Sequence, residues 1–147
     1  LARRVGGKQM KYWIDKANYG NADTSGGIDK FWLEGGLRVS AYQQIDYLQR
    51  LYENQLPFSS RSTDILKKIM IDKATLQYVV RGKTGWGGQD HKEIGWFVGW
   101  LENKAEIYYF NNMVQMPDTS TNYVNFDVSR KEIAYDILHD LKLINTK

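Results

Sequence analysis

Three apolar runs decide the fold, and they read LQYVVRGKT at 76–84, EIGWFVGWL at 93–101 and EIYYFNNMV at 106–114. All three are rich in Val, Ile, Tyr, Phe and Trp, the residue types that favour β-strands. Because the connections between the runs are short, neighbouring runs are most simply antiparallel. The sequence therefore predicts a three-stranded antiparallel sheet. Gly95 and Gly99 in the middle run indicate places where another backbone or a ligand comes close.

Amphipathic helices are predicted before the sheet. Apolar residues recur at helical spacing over Met10–Ala17, directly after an interruption at Gly6-Gly7. A second helix is expected to begin at Ser40, because Ser40 and Gln43 form a capping box. Its apolar face continues to about Gln55.

Two more helices are predicted, one immediately before the sheet and one after it. The first is expected to be capped by Ser60 or Ser62, and the second to begin at Ser129, which forms another capping box with Glu132. Their core-facing residues are predicted to be Ile65, Leu66, Ile69 and Met70 in the first helix and Ile133, Ala134, Ile137, Leu138 and Leu141 in the second. This order predicts an α+β fold, an antiparallel β-sheet flanked by helices, in a single domain over residues 1–147.

The size and composition of the chain are those of one globular domain. It has 147 residues, 42% of them hydrophobic, and a net charge of +3, a combination that excludes intrinsic disorder. The longest apolar run, Ile94–Leu101, is far shorter than the ~20 residues that cross a bilayer. Residues Leu1–Gly7 contain neither an initiating Met nor a signal peptide, so the chain is expected to begin within a longer protein.

Composition also disfavours several classes of function. The absence of cysteine excludes disulfides, thiolate nucleophiles and cysteine-ligated zinc, but it leaves the cellular compartment undecided. Acidic residues are interleaved with basic ones, even within Arg61–Lys68, and no nucleic-acid partner is expected. His91 and His139 lie far apart in the sequence without a ligand cluster, so no metal site is expected. The aromatic residues of the strands are assigned to the core.

The triplet Lys83-Thr84-Gly85 is the most informative short motif. A lysine ammonium attracts a carboxylate, a threonine hydroxyl donates a hydrogen bond to it, and a glycine lets a ligand lie against the backbone. The triplet is predicted to end a strand, because Trp86-Gly87-Gly88 follows it as a turn. Taken alone, the triplet is a weak signal, and an ordinary strand end that enters a turn is the simpler interpretation.

Arg130 stands at an unexpected position if the last helix begins at Ser129. A cation in the first turn of a helix opposes the helix dipole, at a cost of a few tenths of a kcal/mol. Another interaction, such as binding of an anion, would account for it. The alternative is a solvated surface arginine, and the neighbouring Lys131 indicates that the helix tolerates charge at this position.

Three further motifs accompany the Lys-Thr-Gly triplet, namely Tyr19-Gly20-Asn21, Phe31-Trp32-Leu33 and Gly95-Trp96-Phe97-Val98-Gly99. In this order and spacing the sequence resembles the class D (oxacillinase-type) serine β-lactamases, over essentially all 147 residues. The resemblance implies the β-lactamase/penicillin-binding transpeptidase-like fold. It also implies that residues 1–147 are the C-terminal part of a single β-lactamase-like domain, with the N-terminal part missing from this chain.

The resemblance implies hydrolysis of the β-lactam ring of penicillin-like antibiotics through a serine acyl-enzyme, a reaction that confers resistance. The nucleophile and the lysine base of these enzymes come from a Ser-x-x-Lys motif, and this sequence does not contain that motif. The chain alone is therefore expected to be inactive. The cofactor implied is CO₂ or bicarbonate, which carbamylates a lysine outside this sequence.

Five of the site residues implied by the resemblance concern the substrate side of the site. Lys83 would lie beside the nucleophile and supply positive potential. Thr84 and Arg130 would bind the substrate carboxylate, with Gly85 giving access to the strand. The backbone N–H of Trp86 would be one of two donors in the oxyanion hole.

The other two implied site residues stand at the carbamylated lysine. The Trp32 indole would hold the carbamate, and Leu33 would screen the deacylating water. Without the family pattern, Trp32 is equally a core aromatic residue in a loop. The Tyr19-Gly20-Asn21 motif is expected to be structural scaffolding at the rim of the site.

Alternatives to a hydrolase remain at this stage. A β-lactam-sensing receptor domain shares the fold and is acylated without turnover. A cell-wall transpeptidase and an unrelated α+β binding module are the remaining candidates. The partners implied are the β-lactam substrate and the N-terminal part of the same domain, with a homodimer left open. The resemblance implies a bacterial periplasmic or secreted location.

Overall fold

The computed structural model describes residues 1–89, 92–104, 106–117 and 125–145. Its helices are α1 (Ala2–Val5), α2 (Gly7–Lys16), α3 (Ala41–Tyr52), α4 (Ser60–Ile69) and α5 (Phe126–Asp140). Its strands are β1 (Ile71–Ala74), β2 (Tyr78–Gln89), β3 (Lys92–Asn103) and β4 (Ile107–Pro117). In the described part of the chain, no helix is long and apolar enough to cross a membrane.

The strands form one antiparallel sheet in the order β1-β2-β3-β4. The α+β class and the three predicted strands are confirmed, but the prediction of only three strands is wrong, because β1 lies at the edge of the sheet. Ile71–Ala74 is four residues long and mostly exposed, so it lacks the apolar alternation that marks a half-buried strand. Its backbone pairing with β2 makes it a strand.

The Lys-Thr-Gly triplet lies within β2 and not at its end, contrary to the prediction. The glycines after it continue the ladder with β3, where Gly87 pairs with Ile94 and Gly88 with Glu93. Glycine favours turns only as a weak local preference, and twelve residues of continuous pairing with β3 override it. The triplet is consequently held on a long, regular strand.

The two faces of the sheet are covered by different helices. One face carries Tyr78, Val80 and Leu101, which pack against Leu138 and form one core cluster. The other face carries Trp100, which packs in a second cluster with Leu48, Leu51, Leu56 and Met70. The sheet therefore lies between α5 and the helical layer that contains α3.

The start of α5 differs from the prediction. The helix begins at Phe126 after Asn125, which has a left-handed backbone with φ of 71°, and no side chain caps it. Ser129 lies inside the first turn, where its hydroxyl donates to the Phe126 carbonyl at 3.3 Å. The predicted Ser129–Glu132 capping box is therefore wrong, and Arg130 is not a first-turn residue.

The buried side of α5 also differs from the prediction. Ala134 and Leu138 face the core as expected, but Arg130 precedes them on the same side. The predicted core residues Ile133, Ile137 and Leu141 are exposed instead. The helix has apolar residues on more than one side, so periodicity alone did not identify the side that meets the sheet.

The first-half helices are largely as predicted. The Ser40–Gln43 capping box of α3 is present, and Gly6, with φ of 86°, separates α1 from α2. Helix α4 is capped by Ser59, one residue before the predicted choices. In α4 Leu66 packs against the core, Met70 at the C-cap is buried, and Ile65 and Ile69 are exposed, so half of the predicted buried stripe is wrong.

Candidate active site

Among the described residues, no strand pairs with the outer edge of the second half of β2, and we call this stretch the open edge of β2. The backbone N–H of Gly82 donates outward to the Met70 carbonyl at 2.7 Å, and the pairing of β1 with β2 reaches only as far as Arg81. Backbone N–H groups along a strand alternate between its two edges. Thr84 and Trp86 therefore direct their N–H groups toward the same outer edge, beyond the end of β1.

Arg130 reaches this part of β2 from α5. Its guanidinium donates from Nη1 to the Gly85 carbonyl at 2.9 Å. The Arg130 carbonyl accepts a 2.6 Å hydrogen bond from the Asn112 side chain on β4. The residue is only 9% exposed. The helix and the sheet together thus fix this cation beside the Lys-Thr-Gly triplet.

No described residue compensates the charge of Arg130. No ion pair among the described residues involves Arg130, and its buried Nε has no hydrogen-bond partner. A buried charge is costly unless it is paired, and a buried N–H without an acceptor adds to that cost. The guanidinium is therefore suited to receive an anion at the β2 edge.

The Trp86 indole lies against Arg130. The guanidinium carbon is 5.7 Å from the ring centre, within the range of a cation–π interaction. The Phe126 ring packs against the indole in an edge-to-face arrangement, with the ring centres 5.2 Å apart. The Phe126 ring lies close to the backbone of Gly95, where a Cβ would be only 3.2 Å from the ring. The lack of a side chain at Gly95 therefore makes room for Phe126. The indole N–H of Trp86 donates to the Glu93 carboxylate.

Lys83 and Thr84 point to opposite faces of β2, as consecutive strand residues do. Thr84 is half-buried and pairs with Phe97, on the face that α5 covers. Lys83 is exposed, and its ammonium donates to the Thr84 carbonyl at 2.7 Å. The triplet thus presents a hydroxyl to one side of the open edge and a cation to the other.

The loop that carries Trp32 and Leu33 packs against the same strand. Phe31 anchors it in the core, whereas Trp32 is 44% and Leu33 42% exposed. A Cβ at Gly87 would lie 3.5 Å from the Leu33 carbonyl oxygen and 3.7 Å from its side chain. Leu33 thus lies against β2 one residue beyond Trp86. In the described part of the chain, the Trp32 indole N–H has no hydrogen-bond acceptor.

Asn21 holds both ends of this loop together. Its amide donates to the Gly36 carbonyl at 2.9 Å, and its oxygen accepts from the Arg38 N–H at 2.9 Å. Tyr19 donates its hydroxyl to Gln44 on α3 at 2.7 Å. Hydrogen bonds from Ser25 hold the pKa of the Asp23 carboxyl below its usual range. These contacts shape the loop and do not present a reactive group.

The structure brings four of the candidate site residues together, namely Thr84, Gly85, Trp86 and Arg130. Sequence analysis missed Glu93 and Phe126, because Glu93 meets Trp86 only across the β2–β3 ladder and Phe126 was not recognised as part of the last helix. The pairing register of a predicted β2–β3 hairpin was the one available signal for Glu93.

Of the two histidines, His139 is the one that lies among the described residues. His91 lies outside the described residues. His139 is on α5, with its Nδ1 3.5 Å from the Asp140 carboxylate. Within residues 1–89, 92–104, 106–117 and 125–145, no three His, Asp or Glu side chains form a group that could hold a metal ion.

Comparison with known families and proteins gives a consistent result. The family model of the penicillin-binding protein transpeptidase domain matches residues 1–139. The β-lactamase OXA-48 of Klebsiella pneumoniae is 41% identical over 144 residues, which are 98% of this chain and 52% of that protein. The probable β-lactamase YbxI of Bacillus subtilis is 37% identical, over 89% of this chain and 49% of that protein. The chain thus spans about half the length of these curated relatives.

Solved structures agree with these matches. A class D β-lactamase from Sebaldella termitidis superposes with a TM-score of 0.90 at 32% identity, covering 98% of this chain and 58% of that one. The class D enzyme YbXI from Nostoc superposes with a TM-score of 0.86 at 39% identity, covering 97% and 59%. The sheet and helices therefore have the penicillin-binding protein and β-lactamase fold. This chain belongs to the penicillin-binding protein transpeptidase family, and its relatives within that family are class D β-lactamases.

Proposed function

We propose that the chain is the substrate-binding half of a serine β-lactamase that hydrolyses penicillin-like antibiotics through an acyl-enzyme and so confers resistance. The observation that carries this proposal is the buried Arg130 guanidinium beside Gly85, which has no carboxylate partner among the described residues. A penicillin carries one carboxylate beside its reactive ring. The open β2 edge offers that carboxylate a charge-assisted hydrogen bond.

Groups on β2 and Arg130 of α5 divide the work of binding and catalysis. Arg130 and the Thr84 hydroxyl bind the substrate carboxylate and so orient the β-lactam carbonyl along the edge. The Trp86 N–H points outward at this edge and donates to the oxygen of that carbonyl, on which negative charge develops during acylation. Lys83 supplies positive potential on the other side of the strand, beside the serine that it helps to deprotonate.

Trp32 and Leu33 serve the deacylation step in this proposal. A lysine carbamylated by CO₂ supplies a general base for hydrolysis of the acyl-enzyme. The Trp32 indole N–H is available to hold the carbamate, because it has no acceptor among the described residues and is partly exposed. Leu33, held against Gly87, limits the access of water.

The serine and the lysine come from outside these 147 residues, and we assign them to the N-terminal part of the same domain. Two features support a covering segment. The outer edge of β4 pairs with no other strand among the described residues, and Ile133, Ile137 and Leu141 expose an apolar stripe on α5. A periplasmic or secreted location fits an enzyme that acts on antibiotics arriving from outside the cell, and a homodimer remains an open arrangement.

The test compares the intact enzyme with its Trp32→Ala variant. We expect the wild type to hydrolyse benzylpenicillin with a short-lived acyl-enzyme. Trp32→Ala should accumulate the acyl-enzyme, because the carbamate loses its donor, and added bicarbonate should partly restore turnover. Mass spectrometry of the acylated protein, with and without bicarbonate, measures the lifetime. Normal deacylation by Trp32→Ala would remove Trp32 from the site.

Two controls separate the proposal from its alternatives. Trp13→Ala changes another partly exposed tryptophan, which lies on α2 against Tyr12 and Phe58, and should leave the acyl-enzyme lifetime unchanged. The 147-residue chain alone should hydrolyse no chromogenic cephalosporin above background, because it lacks Ser-x-x-Lys. A wild-type acyl form that is stable for hours would instead identify a β-lactam sensor.

A further inference from the structure

Three side chains contact the Trp86 indole, namely Glu93, Phe126 and Arg130, and we name these three together with Trp86 the indole clamp. We propose that Glu93 is a positioning residue, which holds the Trp86 indole over Arg130 and so determines which substituents beside the substrate carboxylate the site accepts. This inference rests on the proposed function, because it deepens the role of the Arg130 subsite.

The strand register brings Glu93 to the indole. Trp86 pairs with Gly95, and Glu93 pairs with Gly88, so Trp86 and Glu93 are diagonal neighbours on the same face of two adjacent strands. The absence of a side chain at Gly95 and Gly88 leaves the space in which the indole turns toward the carboxylate. The indole N–H then donates to a Glu93 carboxylate oxygen.

The hydrogen bond matters because Trp86 is otherwise weakly held. The residue is 41% exposed, and among the described residues its ring also contacts the Phe126 ring and the guanidinium of Arg130. A charge-assisted hydrogen bond is directional, whereas ring contacts tolerate sliding and rotation. Glu93 therefore selects the one indole orientation that covers the guanidinium.

The arrangement also keeps the Glu93 carboxylate away from Arg130. No ion pair among the described residues joins the two, and the indole contacts both, since its N–H donates to the carboxylate and its ring lies at the guanidinium. A carboxylate that reached Arg130 would compete with a carboxylate ligand for the same guanidinium. The clamp thus keeps the cation available for an anionic substrate.

The position of the Trp86 indole beside Arg130 affects which substrates fit the site. A substrate whose carboxylate binds Arg130 brings the atoms beside that carboxylate against the Trp86 ring. In a penicillin these atoms belong to a compact five-membered ring with two methyl groups, which suit an apolar ring face. In a cephalosporin a larger substituent stands at the neighbouring carbon. A fixed indole therefore favours penicillins over cephalosporins with bulky substituents.

The kinetic test uses Glu93→Ala, Glu93→Gln and Trp86→Phe in the intact enzyme, with benzylpenicillin and a cephalosporin that carries a bulky 3-substituent. Glu93→Ala should raise KM for benzylpenicillin about fivefold with little change in kcat, and raise KM for the cephalosporin less. Glu93→Gln retains an acceptor oxygen and should stay within about twofold of the wild type. Both substitutions remove the same hydrogen bond. The double variant Glu93→Ala/Trp86→Phe should therefore change the two KM values little more than one of the single substitutions does.

A spectroscopic readout tests the hydrogen bond independently of turnover. The Trp86 indole N–H signal, identified in a ¹H–¹⁵N spectrum as the one missing from Trp86→Phe, should shift in Glu93→Ala and shift less in Glu93→Gln. Glu102→Gln is the matched control, because Glu102 accepts from the Trp100 indole at 2.8 Å on the opposite face. It should move the Trp100 signal and leave the KM ratio of the two substrates unchanged.

The outcomes separate the inference from the proposed function. An unshifted Trp86 signal in Glu93→Ala, or a shifted signal with an unchanged KM ratio, would overturn the positioning role while leaving the hydrolase intact. A wild-type protein that neither hydrolyses nor is acylated by any β-lactam would overturn the proposed function and the specificity step with it.

Discussion

Arg81 and Arg130 lie on opposite faces of the same sheet and are satisfied very differently. The Arg81 side chain donates to the Glu102 carboxylate at 2.5 Å and to the Lys67 carbonyl at 2.6 Å. Glu102 in turn accepts from the Trp100 indole. Arg130 is more deeply buried, yet its one described side-chain hydrogen bond is to the Gly85 carbonyl, and its Nε has no partner. One arginine completes a network within the protein, and the other does not.

The difference is the one expected between a structural cation and, in the proposed function, a cation that binds a ligand. Folding can stabilise a half-buried guanidinium when a carboxylate lies beside it, as at Arg81. A buried guanidinium without a carboxylate is retained at a cost in stability, and in the proposed function an anionic ligand offsets that cost. Substitution of each arginine should therefore affect a different property.

The largest expected effect is that of Arg130→Ala in the intact enzyme. Losing a charge-assisted hydrogen bond to the substrate carboxylate should cost about 1.5 to 3 kcal/mol of binding, or roughly ten- to 150-fold in KM for benzylpenicillin. Steady-state kinetics measure this, and thermal unfolding should show a smaller loss of stability than for Arg81→Ala. An unchanged kcat/KM would show that Arg130 does not contact the substrate.

Arg81→Ala should lower the stability of the protein and leave substrate binding unchanged. It leaves the Glu102 carboxylate, whose side chain is 27% exposed, without its cation, so the free energy of unfolding should fall by about 1 to 2 kcal/mol. Chemical denaturation measures the loss, and KM for benzylpenicillin should not change. The double variant Arg81→Ala/Glu102→Gln should recover part of the stability, and an altered KM would contradict the division between the two arginines.

Thr84→Val tests how much the Thr84 hydroxyl contributes to substrate binding beside Arg130. The change keeps the shape of the side chain but removes one neutral hydroxyl from the open edge of β2, which should weaken substrate binding by about 1 kcal/mol, or roughly fivefold in KM. Thr63→Val is the control, because Thr63 is a buried threonine on α4, far from Thr84 in sequence. Equal kinetic effects of the two changes would argue against carboxylate binding by Thr84.

The smallest effect at neutral pH concerns Tyr19, a half-buried group that stays uncharged. Burial raises the pKa of Tyr19 to about 12, above the value near 10 of an unfolded tyrosine. The folded state thus holds the proton more tightly, and this contribution to stability is complete below about pH 10 and lost as the pH rises through about 12. The free energy of unfolding of Tyr19→Phe should therefore decline less steeply over this interval than that of the wild type.

A control variant isolates that pH effect. Tyr42 is 89% exposed, and Tyr42→Phe supplies a matched Tyr→Phe change that is measured beside Tyr19→Phe. Denaturant titrations at several pH values measure all three proteins. Identical slopes for the wild type and Tyr19→Phe would contradict the assigned burial of the Tyr19 hydroxyl.

The sequence predicted the elements whose residue pattern is local and unambiguous. The three long strands carry dense β-branched and aromatic residues, and the Ser40–Gln43 box needs only residues three positions apart. Both signals act within a few residues, so no distant contact is required to interpret them. Family motifs in the same order then indicated the half of the active site that includes the Lys-Thr-Gly strand.

The failures fall where a partner element decides the outcome. Ile71–Ala74 is a strand because β2 pairs with it, and α5 begins at Phe126 because that ring packs on the sheet at Gly95. The apolar stripe with Ile133 and Ile137 resembled a core face but is exposed, since the side with Ala134 and Leu138 meets the sheet. A helix with apolar residues on two sides requires its neighbour to identify the buried one.

By itself, the sequence determined the α+β class, the long antiparallel strands and the placement of Lys83, Thr84 and Gly85 next to one another, because these depend on residue type and short spacing. Only the tertiary structure decided that Arg130 lies buried against Gly85 without a carboxylate, and that Glu93 and Phe126 hold the Trp86 indole over it. Burial and charge compensation depend on groups distant in sequence that packing brings within a few ångströms, and no local pattern encodes those distances.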